Sequence, residues 1–247
     1  MPHYDDFSVC YDSLMSDADY SARAKRVLDL FDSYDRRPTL LLDLACGTGA
    51  FSYELADKGI DVIGVDCSDG MLAAATQKLP QGATNPLFLN QCAEELELFG
   101  TVDGAICMMD SLNHITEYEN FKKALGRVSL FLEKDRLFIF DVNTPYKHEQ
   151  VLGNNTFVKE DESAFCVWQN EYEGNGLTNI YLDLFVNTND ENYQRYYEEF
   201  SERAYSAYQI KAALTDAGLE VVATFDDMTQ NPPTEKSERI TYIVRKK

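Results

Sequence analysis

The sequence predicts an α/β fold in which a mostly parallel sheet is flanked by helices. Short apolar runs alternate with helical hydrophobic patterns from Thr39 to Val142. The helical stretches are about 10–15 residues long, which suits the crossover between two parallel strands. The first two apolar runs lead into an acidic residue, and the first is followed by a glycine turn. These three observations favour a buried parallel sheet over an antiparallel one.

Five apolar runs form the predicted strands of this part of the chain: Thr39–Leu44, Ile60–Val65, Pro86–Asn90, Val102–Met108 and Arg136–Val142. Helical patterns lie between them. The first runs through Phe51 and ends at Gly59, and the second begins at a cap, Ser68 or Asp69, and ends before Pro80. The third places four apolar residues on one helix face, namely Phe121, Leu125, Val128 and Leu132.

The pattern changes after Pro145. Four runs of alternating polarity predict antiparallel strands: Phe157–Val158, Ala164–Tyr172, Leu177–Val186 and Tyr193–Phe200. The tripeptide Gly174-Asn175-Gly176 predicts a hairpin turn between the second and third of them. This antiparallel segment is too small to be an independent domain.

The helical period resumes through Ile210 and Leu214, and two last strands are predicted at Leu219–Phe225 and Ile240–Val244. We therefore expect one α/β domain made of residues 1–144 and 206–247. An antiparallel β insertion at residues 145–205 interrupts it. The length of 247 residues suits one domain that carries such an insertion.

Composition excludes several classes of function. The chain has 22 Lys+Arg against 42 Asp+Glu, a formal net charge of −20. This charge argues against binding to nucleic acid or to an anionic membrane surface, both of which require basic residues. No apolar run approaches the roughly 18 residues that span a bilayer. The N-terminus lacks the features of a signal peptide, so we expect a soluble, cytoplasmic protein that is a monomer or a homodimer.

Cysteine and histidine spacing argues against a metal site. The six cysteines are never closer than 15 residues, and none of the three histidines lies at metal-ligand spacing. We expect reduced thiols that serve as small apolar side chains and no bound metal.

The segment from Asp43 to Gly49, DLACGTG, is the strongest motif. An acid near the end of a strand precedes a turn in which Gly47 and Gly49 let the backbone approach a ligand closely. Asp66 ends the next strand 19 residues after Gly47, where a carboxylate can accept hydrogen bonds from both hydroxyls of a ribose. Together they indicate an adenosine ligand.

Two details favour S-adenosylmethionine over NAD as that ligand. The dinucleotide fingerprint requires glycine at position 52, where this sequence has Ser52. Asp43 would repel a pyrophosphate, whereas a cofactor with a cationic sulfonium and an amino group tolerates a nearby carboxylate.

Four segments, LLDLACGTGAFS, VIGVDCSDGML, NQCAEEL and FIFDVNTPYKH, resemble the class I (Rossmann-like) S-adenosylmethionine-dependent methyltransferases. The resemblance covers nearly the whole chain. The insertion and the ending SERITYIVRKK are similar to a bacterial subgroup of small-molecule type, related to sugar-amine N-methyltransferases. The resemblance implies a Rossmann-like seven-stranded sheet of order 3-2-1-4-5-7-6, with the last strand antiparallel.

The resemblance also implies a set of residues around the cofactor: Tyr11, Asp43, Ala45, Gly47, Gly49, Asp66, Cys67, Met71, Ala93, Glu94, Met108 and Asp110. Asp43 and the turn would surround the methionyl part, and Asp66 the ribose. Met71 and the stretch Cys92–Glu94 would flank the adenine, and Met108–Asp110 would lie under the cofactor. Tyr4 and Tyr11 resemble aromatic residues that close over it. Ala45 departs from the family pattern, which has glycine at this position.

Methyl transfer requires a general base only when the acceptor arrives protonated. His114, His148 and Tyr146 follow predicted strands, and we take His114 as the better candidate. The insertion holds about 12 acids against 4 bases with interleaved aromatic residues, which is consistent with a lid that selects a small neutral or cationic acceptor such as an amine. A dimerisation hairpin is the alternative.

Three classes of function remain open on these grounds. A small-molecule methyltransferase is favoured. A methyltransferase of a protein or RNA is disfavoured, because the sequence after the fourth strand, Asp110-Ser111-Leu112-Asn113, lacks the proline of the motif such enzymes carry. The third class is a non-catalytic module that binds S-adenosylmethionine or NAD.

Overall fold

Two β-sheets form the frame of the protein. The structure, a computed structural model, describes residues 18–78, 85–160, 164–189 and 192–247. The strands of these residues are β1 (Leu40–Leu44), β2 (Asp61–Asp66), β3 (Leu87–Asn90), β4 (Gly104–Cys107), β5 (Leu137–Asn143), β6 (Thr156–Glu160), β7 (Ala164–Gly174), β8 (Leu177–Asn189), β9 (Asn192–Arg203), β10 (Leu219–Asp226) and β11 (Arg239–Lys246). Tyr4 and Tyr11 lie outside the described residues.

The larger sheet has the order β3-β2-β1-β4-β5-β11-β10. Strand β11 is antiparallel to both of its neighbours, and the other neighbouring pairs are parallel. With β10 and β11 as the sixth and seventh strands of this sheet, the order 3-2-1-4-5-7-6 is confirmed, and with it the α/β fold class. Because the parallel strands all end at one edge, the residues that follow β1, β2, β4 and β5 lie near one another.

Five α-helices occur in the described ranges: α1 (Tyr20–Ser33), α2 (Ala50–Ala56), α3 (Asp69–Gln77), α4 (Tyr118–Phe131) and α5 (Ala207–Asp216). The Ser68 hydroxyl caps α3 by accepting the Met71 N–H, which decides between the two predicted caps. Helix α1 has no counterpart among the predicted elements. None of these helices combines the length and the apolarity that a membrane crossing requires.

The core lies on both faces of the larger sheet. Leu42 and Leu44 of β1 point to the face that α4 and α5 cover, and Leu41 points to the face that α1 and α2 cover. This alternation follows from the two-residue period of a strand. Layers on both faces leave the strand ends as the accessible part of the sheet.

The second sheet is antiparallel, with the order β6-β7-β8-β9. Asn175 and Gly176 form the two-residue turn between β7 and β8, and both have positive φ angles, 51° and 79°. This is the geometry of a type I′ turn, so the predicted hairpin is confirmed. Met71 of α3 packs in one apolar cluster with residues of β7 and β8, such as Cys166 and Ile180, and so joins the two sheets.

Candidate active site

The chain turns sharply where β1 ends. Ala45, Gly47 and Gly49 all have positive φ angles, 58°, 54° and 72°. A Cβ on Gly49 would lie 2.7 Å from Cζ of Phe88, whereas a Cβ on Gly47 would meet no atom within 4 Å. Gly49 is therefore needed for packing, and Gly47 faces open space that a ligand can approach. Ala45 adopts the left-handed conformation despite its side chain, which is the structural consequence of its departure from glycine.

Asp66 connects the end of β2 to this turn. Its Oδ2 accepts the Gly47 N–H at 2.8 Å, and its Oδ1 accepts the Ser68 N–H at 2.9 Å. Burial raises the pKa of Asp66, and these backbone N–H groups act in the opposite direction. Each carboxylate oxygen keeps a further lone pair, so the group can also accept hydrogen bonds from a ribose.

Asp43 lies at the floor of a cleft beside the turn and is 2% exposed. The Ser52 hydroxyl donates to its Oδ2 at 2.5 Å. Burial raises the pKa of Asp43 to about 7, although the Ser52 hydrogen bond lowers it. Ser52, the residue that departs from the dinucleotide fingerprint, is thus the partner that holds Asp43 in place. The cleft is also lined by Tyr20, Ala45, Gly47, Met108, Met109 and Ser111.

Asp110 follows β4 and is tied to two other strands, β5 and β11. Its Oδ1 accepts from Nη2 of Arg239 at 2.7 Å, and its Oδ2 accepts from Nδ2 of Asn143. Its own backbone N–H and that of Met109 donate to Asp141, at 2.6 Å and 3.0 Å. Burial opposes ionisation of Asp110, but the charges of Arg239 and Lys147 hold its pKa below the usual value. Asp110 is therefore an ionised, structurally engaged acid between two residues that line the cleft, Met109 and Ser111.

Glu202 of β9 lies between the two candidate histidines. Its Oε1 is 3.6 Å from Nε2 of His114, and its Oε2 is 3.6 Å from Nε2 of His148. Burial raises the pKa of Glu202 to about 8 and lowers the pKa of both histidines to about 4. At neutral pH both imidazoles are uncharged.

His148 is fully buried, with Nδ1 2.9 Å from the Thr178 hydroxyl. Its Nε2 has no hydrogen-bond partner among the described residues. His114 is the more accessible of the two, with 17% of its side chain exposed. His148 is thus enclosed by protein, whereas part of the His114 side chain stays accessible.

The residues expected beside the adenine lie near the ends of β2 and β3. Burial raises the pKa of the Cys67 thiol to about 12, so it is not a nucleophile at neutral pH. Ala93 and Met71 are both buried, Ala93 in the main core and Met71 against the second sheet. The Oε2 of Glu94 is buried and has no hydrogen-bond partner within the described ranges. Such an orphaned acceptor suits a ligand that brings an N–H or O–H donor.

The structure brings Asp43, Ala45, Gly47 and Met108 into one cleft, with Asp66 bonded to its rim. Gly49 lies behind the turn. Sequence reasoning missed Asp141, Asn143, Glu202 and Arg239. Asp141 lies near the end of a strand as Asp43 does, so the same signal could have found it. Glu202 and Arg239 come from distant segments and carry no local signal.

A sheet of this order, with a glycine turn after β1 and a carboxylate at the end of β2, defines a Rossmann-like protein that binds an adenosine cofactor. A family model described as "Methyltransferase domain" matches residues 41–135. A protein of Geobacillus sp. (strain WCH70), named "Putative methyltransferase GWCH70_2453", is 32% identical over 98% of this chain and 99% of its own length.

Two further similarities extend this result. The crystal structure of an S-adenosylmethionine-dependent methyltransferase from Clostridium acetobutylicum ATCC 824 has a TM-score of 0.90 and 33% identity, and covers 98% of each chain. The glycine/sarcosine N-methyltransferase of Parasynechococcus marenigrum (strain WH8102) is 30% identical over 66% of this chain and 58% of its own. The chain belongs to the S-adenosylmethionine-dependent methyltransferases. It is an enzyme, and S-adenosylmethionine is its cofactor.

Proposed function

We propose that this methyltransferase acts on a small molecule, an amine, by in-line transfer. The observation that carries the proposal is a second cavity beside the cofactor cleft. It has a volume of about 510 Å³, and Met109 lines both the cavity and the cleft. This volume is typical of small-molecule sites. A net charge of −20 further disfavours a nucleic-acid substrate.

The donor set of the cleft fits the cofactor. S-adenosylmethionine supplies an electrophilic methyl group on a cationic sulfonium. We assign the buried Asp43 carboxylate to its amino group, the open face of Gly47 to its backbone contacts and Asp66 to the ribose hydroxyls. The orphaned Oε2 of Glu94 would accept a donor of the adenosine part. The proposal also assigns contacts with the cofactor to the remaining expected residues, namely Cys67, Met71, Ala93, Met108 and Asp110.

An amine that arrives as an ammonium must lose a proton before it can attack. His114 is the expected base, but a pKa of about 4 makes its imidazole a weak proton acceptor. Glu202 lies 3.6 Å behind it, and burial raises its pKa to about 8. Its ionised carboxylate is therefore the stronger base of the two, but it is the minor form at neutral pH. We therefore assign the proton to the His114–Glu202 pair, acting through the ionised form of Glu202.

Residues 145–205 would act as a lid in this proposal. Two contacts support it, since β9 contributes Glu202 beside His114, and β7 and β8 pack against Met71. Both contacts lie at the accessible strand ends of the larger sheet. A dimerisation role for the same segment would leave these contacts without a function.

The test is release of S-adenosylhomocysteine with panels of amine, hydroxyl and carboxyl acceptors. Turnover with amines alone supports the proposal. Turnover with hydroxyl or carboxyl acceptors alone would contradict the amine assignment, and turnover only with protein or RNA would contradict the small-molecule one. Calorimetry with S-adenosylmethionine provides the control that the enzyme is competent.

A further inference from the structure

The cavity beside the cofactor cleft has an unusual charge for this protein. Five of its lining residues are basic: Arg23, Lys147, Lys159, Lys236 and Arg239. Three are acidic, namely Asp226, Asp227 and Glu238. The whole chain has 22 basic and 42 acidic residues, so the excess of acid is reversed within this cavity. A basic lining inside an acidic protein attracts anions and is unfavourable for a simple cation.

The two arginines of the lining are matched by acids of the protein. Arg239 donates to Asp110 at 2.7 Å, and Nη1 of Arg23 lies 3.6 Å from Oδ1 of Asp227. The charges of these guanidinium groups are already compensated. We therefore assign them a structural role in the cavity wall. The ion pairs of the arginines do not account for the charges of Lys147 and Lys236.

Lys147 and Lys236 have no such direct ion pair, although the charge of Lys147 also lowers the pKa of Asp110 and of Glu202. Nζ of Lys147 donates to the neutral Oδ1 of Asn143 at 3.0 Å. Within the described part of the chain, no carboxylate oxygen lies within 4.0 Å of either ammonium group. Lys236 is exposed, and its backbone N–H is held by the Thr234 hydroxyl, which fixes the loop that carries it. Both lysines line the cavity and come from different elements. An ammonium group has three donors, and that of Lys147 gives one of them to Asn143.

We propose that this cavity binds an anionic group of the methyl acceptor, a carboxylate or a phosphate, through Lys147 and Lys236. The inference rests on the proposed function and deepens it, since the substrate becomes an amine that also carries an acidic group. Met109 lies on both the cavity and the cofactor cleft. An acceptor anchored by its anion would present its other end toward Met109, where the methyl group is to be delivered.

The experiment uses acetate and inorganic phosphate as probes, each titrated into the ¹⁵N-labelled full chain saturated with S-adenosylhomocysteine. We expect saturable shifts of the cavity amides with one of the two probes, which identifies the kind of anion. Lys147→Gln and Lys236→Gln should each weaken that binding about 1.5-fold to fivefold, the range for a partly exposed charge contact. Lys211→Gln, the same charge change on the exposed surface of α5, should leave it unaltered.

Absence of saturable shifts with both probes would overturn the inference, as would an equal loss of affinity in Lys211→Gln. Lys236 is exposed, so its variant remains informative even where Lys147→Gln unfolds. Failure here is distinguishable from failure of the proposed function. An enzyme that methylates simple amines without binding either anion keeps the proposed function and loses this inference.

Discussion

The carboxylate of Asp66 accepts the backbone N–H of Gly47 at 2.8 Å, so the acid at the end of β2 and the glycine turn after β1 form one unit. The same carboxylate accepts the Ser68 N–H, which begins the cap of α3. A residue assigned to the ribose thus also holds the two backbone segments that would surround the ribose. Loss of the side chain should affect binding and stability together.

Asp66→Ala tests this dual role. Removing a charge-assisted contact worth roughly 1.5–3 kcal/mol should weaken binding of S-adenosylmethionine about tenfold to a hundredfold in calorimetry. The unfolding free energy should also fall by about 1–3 kcal/mol, because the N–H groups of Gly47 and Ser68 lose their acceptor. Asp61→Ala, at the exposed start of the same strand, is the matched control. Unaltered affinity in Asp66→Ala would remove this residue from the site.

The geometry of the cleft that we assign to the cofactor could be predicted from the sequence because its parts are local. The turn from Asp43 to Gly49 and the acid at position 66 end neighbouring parallel strands, and the topology of the sheet brings such ends together. The sequence also contains a local hydrophobic pattern that indicates helix α1. Its buried residues Ala24, Val27 and Phe31 have the helical spacing.

The acceptor side of the site could not be predicted in the same way. Arg239 reaches Asp110 across 129 positions of sequence, and Glu202 reaches His114 from the second sheet. Neither contact leaves a local pattern, because it depends on how the two sheets are placed. The acidity of the insertion suggested a cationic acceptor, whereas the cavity lining depends on five basic residues scattered from position 23 to position 239.

The glycine turn offers a second prediction, from two substitutions of the same kind. Gly49→Ala would place a Cβ 2.7 Å from the Phe88 ring, so overpacking should destabilise the fold by about 1–3 kcal/mol, in addition to about 1–2 kcal/mol for the positive φ of this residue. Gly47→Ala meets no atom and should lose about 1–2 kcal/mol for its positive φ. It should nevertheless weaken binding of S-adenosylmethionine, because its Cβ would occupy the open space that we assign to the ligand. Urea unfolding and calorimetry on both variants separate the effects. Greater loss of affinity in Gly49→Ala, with its fold intact, would reverse the assignment.

Glu202 predicts an unusual dependence of stability on pH. Its pKa is raised from 4.5 to about 8 by burial and by the charge of Asp110, against the opposing charges of Lys147 and Arg239. The folded state therefore favours the protonated carboxyl. Its contribution is fully present below pH 4.5 and is lost as the pH rises through about 8.

The unfolding free energy of the native enzyme should fall between pH 6 and pH 9 relative to that of Glu202→Gln. Urea unfolding at the two pH values measures this difference. Glu199→Gln, an exposed position of the same strand, should follow the native enzyme. If the unfolding free energy of the native enzyme changes between pH 6 and pH 9 by the same amount as that of Glu202→Gln, the Glu202 carboxyl is already ionised in the folded state at pH 6.

The ion pair between Arg239 and Asp110 gives a last prediction, in the form of a double-mutant cycle. The two side chains are 13% and 18% exposed, and Asp110 follows Met109 in a second consecutive left-handed conformation. Arg239→Gln leaves the Asp110 charge poorly compensated and should cost about 2–4 kcal/mol of unfolding free energy. Asp110→Asn alone should also destabilise, because Arg239 keeps only the more distant Asp141 carboxylate, 3.9 Å from its Nε.

The double variant should then lose less than the sum of the two single losses, by about 1–3 kcal/mol, since neither charge is left without its partner. Lys25→Gln with Asp29→Asn, an exposed pair on α1, is the matched control and should couple by less than about 1 kcal/mol. Additive losses at Arg239 and Asp110 would mean that the pair does not act as a unit. In that case the Asp141 carboxylate would be the contact that holds Arg239 in the cavity wall.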